Sequence, residues 1–266
     1  MVNIALVGCN GKMGKAVTSA VQSRNDCKIV FGADPFGTPA YDYPVFESLA
    51  VSDKKADVII DFSNPASLDD ILAYALEKKI PCVLCTTGYS PEQVEKIKKA
   101  SESVAVFYSG NMSLGINLLI ELSKEAAKIL GAADFDIEIV EKHHNQKIDA
   151  PSGTALMIAD GISDTLAEEP QYVYDRHSYR KKRSKNEIGI HSVRGGTIVG
   201  EHEVIFAGHD EVVTISHQAQ SKEVFAVGAV NAAVYLADQS GLRLGSRDVH
   251  GDVVSNFIVA ANNVNN

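Results

Sequence analysis

The chain opens with an apolar run, Val2 to Val7, that passes directly into Gly8-Cys9-Asn10-Gly11-Lys12-Met13-Gly14 and from there into residues at helical spacing. A buried strand turned at once into a helix by glycines belongs to a βα unit of a parallel sheet, so this feature narrows the fold more than any other. Such a turn exposes backbone N–H groups at a helix N-terminus, the arrangement that a dinucleotide pyrophosphate requires. The spacing departs from G-x-G-x-x-G, because Asn10 stands at the second glycine position with Gly11 beside it.

Further apolar runs at Lys28 to Ala33, Asp57 to Asp61, Pro81 to Cys85 and Val104 to Tyr108 alternate with helical patterns at Ala66 to Lys78 and Pro91 to Ala100. Ser63-Asn64-Pro65 and Ser90-Pro91 supply helix caps with a first-turn proline, and Asp69 and Glu92 place acid near the positive ends. The pattern predicts an open, parallel α/β sheet. Ser113 to Leu130 reads as a longer helix stopped by a left-handed Gly131. Beyond it, strands are expected at Phe135 to Lys142, Ile188 to Val193, Glu203 to Ala207 and Val212 to His217, with a helix at Thr154 to Ala167. These predict an α+β layer with a mixed, mostly antiparallel sheet. Gln171 to Asn186, polar and basic, reads as a long loop, mobile or facing another subunit; Val224 to Leu236 returns to helical spacing, and Asn262 to Asn266 reads as a frayed tail.

Asp34 lies twenty residues beyond Gly14 at the end of the second strand, where an acid can accept hydrogen bonds from adenosine ribose hydroxyls. A turn residue before Pro35 is the plainer alternative. An acid there favours NADH over the phosphorylated NADPH, while Lys12 softens that preference and leaves dual use open. Cys85-Thr86-Thr87-Gly88 and Ser109-Gly110-Asn111-Met112 end later strands on the same sheet edge. The candidate cofactor residues are therefore Gly8, Cys9, Asn10, Gly11, Lys12, Met13, Asp34, Cys85, Thr86, Thr87, Ser109, Gly110, Asn111 and Met112.

With 45% hydrophobic and 22% charged residues among 266, an ordinary globular protein with two modest domains is expected. A formal net charge of -9 argues against nucleic-acid binding. The N-terminal run reads as a strand rather than a signal peptide, and no apolar stretch reaches membrane-helix length, so a soluble cytoplasmic protein is expected. The four cysteines are expected to be reduced; Cys82 and Cys85 read as buried strand residues rather than a metal or redox pair, and no metal is predicted. Arg180 to Arg183 reads as a solvated basic loop, and His177, His191, His202, His209, His217 and His250 show no ligand spacing.

The segment Glu141-Lys142-His143-His144-Asn145-Gln146-Lys147-Ile148-Asp149-Ala150-Pro151-Ser152-Gly153-Thr154 concentrates two histidines, a lysine and a helix start within fourteen residues. Imidazole can deliver a proton near neutral pH, lysine can pair with a carboxylate or donate a proton, and a helix N-terminus can hold an anion. Together they suit reduction of an anionic, unsaturated substrate. One metal shared by His143 and His144 is disfavoured, because neighbouring strand residues face opposite ways.

This stretch resembles the E-x-H-H-x-x-K-x-D-A-P-S-G-T-A signature of the dihydrodipicolinate reductase family at every fixed position from Glu141 to Ala155. The likeness extends to the first glycine turn, Asp61-Phe62-Ser63, Thr86-Thr87-Gly88, Val193-Arg194-Gly195-Gly196, Val199-Gly200-Glu201-His202 and Phe225 to Val230. It implies a discontinuous Rossmann-like dinucleotide domain, 1–112 with 222–266, around a substrate and oligomerisation domain, 113–221, that assembles a homotetramer. It further implies hydride transfer from nicotinamide C4 to C4 of a cyclic dicarboxylate in diaminopimelate and lysine biosynthesis. By the same resemblance His143 is the proton donor with Lys147 its companion, and His144, Gly153 and Thr154 hold a substrate carboxylate. Asn111 to Gly115 and Ser221 to Phe225 read as candidate hinges.

Two other readings share the glycine turn. An amino-acid or semialdehyde dehydrogenase would carry a different substrate segment, and a non-enzymatic dinucleotide sensor would have no use for His143 and Lys147.

Overall fold

The computed structural model describes residues 1–36 and 41–238; the expectations for His250 and for the tail at Asn262 to Asn266 fall outside them. The chain forms two compact units, Met1–Leu114 with the described part of Lys222–Asn266, and Gly115–Ser221.

In the first unit β1 (Val2–Val7), α1 (Lys12–Gln22), β2 (Cys27–Ala33), β3 (Val45–Phe46), β4 (Val58–Asp61), α2 (Leu68–Lys78), β5 (Cys82–Leu84), α3 (Pro91–Ser101) and β6 (Val106–Tyr108) follow in turn. The strands are all parallel, in the order β3-β2-β1-β4-β5-β6. A parallel sheet covered on both faces needs strands apolar at every position. β1 meets that need by sending Ile4 and Leu6 into one core and Ala5 and Val7 into another. The sheet order reverses between β1 and β4, which opens a crevice at the strand C-termini where folds of this kind take ligands. The two-residue β3 is too short to leave a periodic signal, and the sequence reading passed over it.

The second unit contains α4 (Leu114–Leu130), β7 (Asp136–His143), α5 (Gly153–Ser163), β8 (Gln171–Val173), β9 (Glu187–Arg194), β10 (Gly200–Ala207) and β11 (Val212–Ala219). Its sheet runs β11-β10-β7-β9-β8 and is mixed: the two pairings on the β11 side are antiparallel and the two on the β8 side parallel. The balance is therefore even, where a mostly antiparallel sheet was expected. β7 alternates strictly, burying Ile137, Ile139, Glu141 and His143, and its two isoleucines pack with Ala155, Ile158 and Ile162 of α5. α5 is shorter than expected, ending at Ser163 rather than Ala167.

Two further expectations change. Gly131 is not left-handed; Asp134, with φ 72°, is the residue that turns the chain after α4. A side chain at Gly131 would instead stand 2.6 Å from the Ala127 carbonyl oxygen. Gln171 to Asn186 is not a structureless loop. Its start pairs with the sheet as β8, and Arg176 and Arg183 reach Glu138 at 2.7 and 3.0 Å. Arg183 also pairs with Asp136 at 2.8 Å, so within the basic run it is an anchor rather than a solvated residue. Gly189 makes room for this hub, because a side chain there would overlap the Glu138 carboxylate.

The chain then returns to the first unit as α6 (Glu223–Asp238), whose Ala226, Ala229, Val230 and Ala233 share a core with Val17 and Val21 of α1. Arg24, after α1, donates to Asn231 of α6 at 2.6 Å.

Candidate active site

At the end of β1 the backbone dictates the residue types. Gly8 has φ 74°, and a Cβ there would lie 2.5 Å from the Phe62 carbonyl oxygen. A Cβ on Gly14 would lie 2.3 Å from the Gly8 carbonyl oxygen, so the turn and α1 can approach each other only without side chains. Gly11 caps α1 with no side-chain hydrogen bond and no acid stands in its first turn, which leaves the positive helix end open to an anion.

A cavity of about 390 Å³ opens beside this turn, lined in part by Gly8, Gly11, Asp34, Glu47, Phe62 and Asp70. The Asp34 carboxylate accepts the Asn10 and Phe36 backbone N–H groups, each at 3.0 Å, so it shapes the turn as well as facing the cavity. No lysine or arginine lines the cavity among the described residues. At the same sheet edge Asp61 is wholly buried and accepts the backbone N–H of Ser63 at 2.9 Å and the Tyr89 hydroxyl at 3.1 Å. Burial among neutral donors raises its pKa.

In the second unit β7 carries Glu141 and His143 on the buried face that its isoleucines share. Glu141 is 0% exposed and completely partnered. One oxygen meets His143 Nδ1 at 2.6 Å and Arg194 Nη1 at 2.7 Å; the other accepts Arg194 Nη2 at 2.7 Å and the Ser152 backbone N–H at 3.1 Å. Those donors outweigh the desolvation that opposes them and hold its pKa down at about 2. His143 is pushed below its ordinary value chiefly by burial, with Lys147 and Arg194 adding to the effect and Glu141 opposing it. The His202 ring stands edge-on to His143 at 5.2 Å between centroids, with Nε2 3.1 Å from Ser152 Oγ, and burial drives its pKa to about 3. Lys147 pairs with Asp149 at 2.9 Å. Ser152 caps α5 by accepting the Ala155 N–H at 3.1 Å, and the space where a Gly153 side chain would stand is open.

Family comparison agrees over nearly the whole chain. The family model described as dihydrodipicolinate reductase, N-terminus, matches residues 2–112, and that described as dihydrodipicolinate reductase, C-terminus, matches residues 115–249. The chain belongs to the dihydrodipicolinate reductase family. A relative from Clostridium tetani, named 4-hydroxy-tetrahydrodipicolinate reductase, is 52% identical over 236 residues, covering 89% of this chain and 92% of its own. One of the same name from Caldanaerobacter subterraneus is 53% identical over 239 residues, covering 90% and 94%. Among solved structures, a dipicolinate-bound dihydrodipicolinate reductase from a Paenisporosarcina species superimposes with TM-score 0.73 at 25% identity, covering 90% of this chain and 94% of that one. A probable dehydrogenase from Thermotoga maritima, at TM-score 0.62 and 9% identity, shares the fold alone.

As a dihydrodipicolinate reductase the chain is an oxidoreductase, and its candidate residues fall into two groups, one in each unit. Gly8 to Met13 form the β1–α1 turn and the start of α1, Asp34 follows β2, Cys85 to Thr87 follow β5, and Ser109 to Met112 follow β6. Cys9, Cys85 and Met112 have core side chains, so only their backbones can face a ligand. Burial pushes the Cys9 thiol up to about 11 and the Cys82 thiol up to about 12, values that suit packing rather than reaction. Asn111 turns inward, its side-chain oxygen accepting the Ser113 N–H at 2.9 Å. In the other group His143, Lys147, Gly153 and Thr154 lie between the end of β7 and the first turn of α5. His144 follows the strand, its side chain in no hydrogen bond or ion pair among the described residues. Sequence reasoning gave no role to Glu141, Arg194 or His202. The alternation of β7 carried a signal for the first, since Glu141 shares a face with Ile137, Ile139 and His143.

Proposed function

We propose that the chain reduces 4-hydroxy-tetrahydrodipicolinate to tetrahydrodipicolinate with NADH or NADPH, a step of diaminopimelate and lysine biosynthesis. The observation that carries this reading is the second-unit cluster: a buried imidazole backed by a carboxylate that Arg194 clasps, with a lysine and the capped start of α5 close by in sequence. Neither a dehydrogenase with another substrate segment nor a dinucleotide sensor accounts for it.

The glycine turn fits a dinucleotide, since Gly8 and Gly14 let the turn pack closely on α1, while Gly11 at the uncapped start of that helix and Asp34 both line the cavity. Backbone groups of Gly8 to Met13 would hold the pyrophosphate, and Asp34 the adenosine ribose. Loss of the C4 hydroxyl together with a C3 hydrogen as water would give the conjugated ring, to whose C4 a bound nicotinamide would supply a hydride. The negative charge left on the conjugated ring is quenched by one proton from His143, with Lys147 assisting. His144 and the backbone of Gly153 and Thr154 hold a substrate carboxylate at the positive end of α5. Asp34, Glu47 and Asp70 around a cavity with no lysine or arginine among its described lining residues favour NADH, because a ribose phosphate would meet no balancing cation among them. The family resemblance supports a homotetramer assembled through the second unit, which light scattering during size-exclusion chromatography checks. No described helix is long and apolar enough to cross a membrane, and a cytoplasmic location is part of the proposal.

Coupling a dihydrodipicolinate-generating synthase to the protein, and following nicotinamide absorbance with each cofactor, tests the reading. Oxidation that depends on both enzymes, faster with NADH, is expected; no oxidation with either cofactor would overturn it.

A further inference from the structure

Each oxygen of the buried Glu141 is bound twice, and its partners are His143, Arg194 and the Ser152 backbone N–H. Its first oxygen meets His143 Nδ1 at 2.6 Å. Arg194 clasps both oxygens at 2.7 Å, and through the same Nη2 donates to the Asp149 carbonyl at 2.7 Å. The Asp149 carboxylate in turn holds Lys147 at 2.9 Å. One guanidinium thus touches the acid behind His143 and the backbone of the residue that pairs with Lys147.

We propose that Glu141 and Arg194 are positioning residues: Glu141 fixes His143 with Nδ1 protonated and Nε2 presented for proton transfer, while Arg194 neutralises Glu141 and anchors the loop that carries Lys147. The proposal rests on the reading of His143 as proton donor. A carboxylate clasped by a guanidinium is ionised and can only accept, so the ring nitrogen facing it must carry the hydrogen. Proton gain and loss then fall to Nε2. That side of the ring is kept clear by Gly200, where a Cβ would stand 3.1 Å from Nε2. His202, from β10, stays neutral and does not compete as an acid. The charged groups around His143 are therefore Glu141 on its own strand, Arg194 on β9 and Lys147 on the following loop. Only Glu141 favours the imidazolium; the other two oppose it.

A buried ion pair that merely staples β7 to β9 would make a different prediction, a loss of stability with His143 unaltered. Glu141→Gln separates the two, since the amide keeps the shape and an acceptor while removing the charge. In the full-length protein labelled with 15N-histidine, and with His143 signals assigned by their loss in His143→Gln, the neutral ring is expected to be protonated at Nδ1. Glu141→Gln should mix the tautomers and lower the midpoint of the His143 titration by about one pH unit. In the coupled assay the alkaline decline of turnover should move down by the same amount. Arg194→Lys, which keeps the cation but not the two-pronged grip, should leave that decline in place and raise KM for the diacid several-fold. An unchanged tautomer and midpoint in Glu141→Gln would overturn the proposal even if the variant melts earlier. Full turnover in His143→Gln would instead remove the reading on which it rests, whatever the spectra show.

Discussion

At the end of β1 and again at the end of β7 a strand gives way to a segment that leads to a helix start, yet the two places are specified in opposite ways. The first is built from missing side chains: Gly8 and Gly14 are required because a single added carbon would meet backbone at 2.5 and 2.3 Å. The second is built from buried charge, with Glu141, His143 and Arg194 joined at 2.6 to 2.7 Å on the covered face of a mixed sheet. The first should fail through sterics and the second through electrostatics and pH.

The largest effect expected from that contrast is on the glycine turn. Gly14→Ala should cost roughly 3 kcal/mol of stability, at the upper end for a single substitution, and about 100-fold in NADH affinity. Calorimetry and a fluorescence titration would measure both, and a variant that still binds NADH normally would show that the turn has more slack than its geometry allows. Asp34→Ala comes next. It removes the ribose acceptor and also the hold on Asn10 and Phe36, so NADH should weaken about tenfold and NADPH less. Equal losses would reduce Asp34 to a residue of the turn.

Acid sharpens the comparison by acting on the two units with opposite sign. His202, folded, takes a proton only near pH 3 instead of 6.5, so the unfolded chain binds more protons between those values. Stability of the second unit should fall by about 1.4 kcal/mol per pH unit as pH drops through that window. Glu141, depressed from 4.5 to about 2, extends the loss below pH 4.5. Asp61 in the first unit is raised instead, so its contribution is greatest at low pH and fades as pH rises. Hydrogen exchange read strand by strand at pH 7 and pH 5 should show β10 losing protection before β1, and His202→Gln should flatten that difference. The smallest expected effect is that of Gly200→Ala, whose methyl would press on His143 Nε2 at 3.1 Å. Turnover should fall a few-fold with little change in melting temperature; a large drop in melting temperature would mean that β10 cannot absorb the contact.

The same contrast explains what the sequence made legible. A glycine turn after a run of consecutive apolar residues is a local signal, so β1, α1 and the parallel order around them could be read from residues that are neighbours in the chain. The turn after α4 was misread because Gly131 serves a close approach and Asp134 takes the left-handed position. Arg183 looked solvated, and Arg176 part of a mobile or subunit-facing segment, because their partner, Glu138, lies 45 and 38 positions away in the chain. Arg194 escaped for the same reason, 53 positions from Glu141. His143 and Lys147 were visible because their segment is compact, whereas the charges that would tune them were not.

The most direct test of the account is the turnover of His143→Gln in the coupled assay, read beside its affinity for NADH. A loss of about 100-fold or more in kcat, with NADH binding within twofold of the unsubstituted protein, is the expected result. Turnover equal to that of the unsubstituted protein would contradict the assignment of the proton to this imidazole.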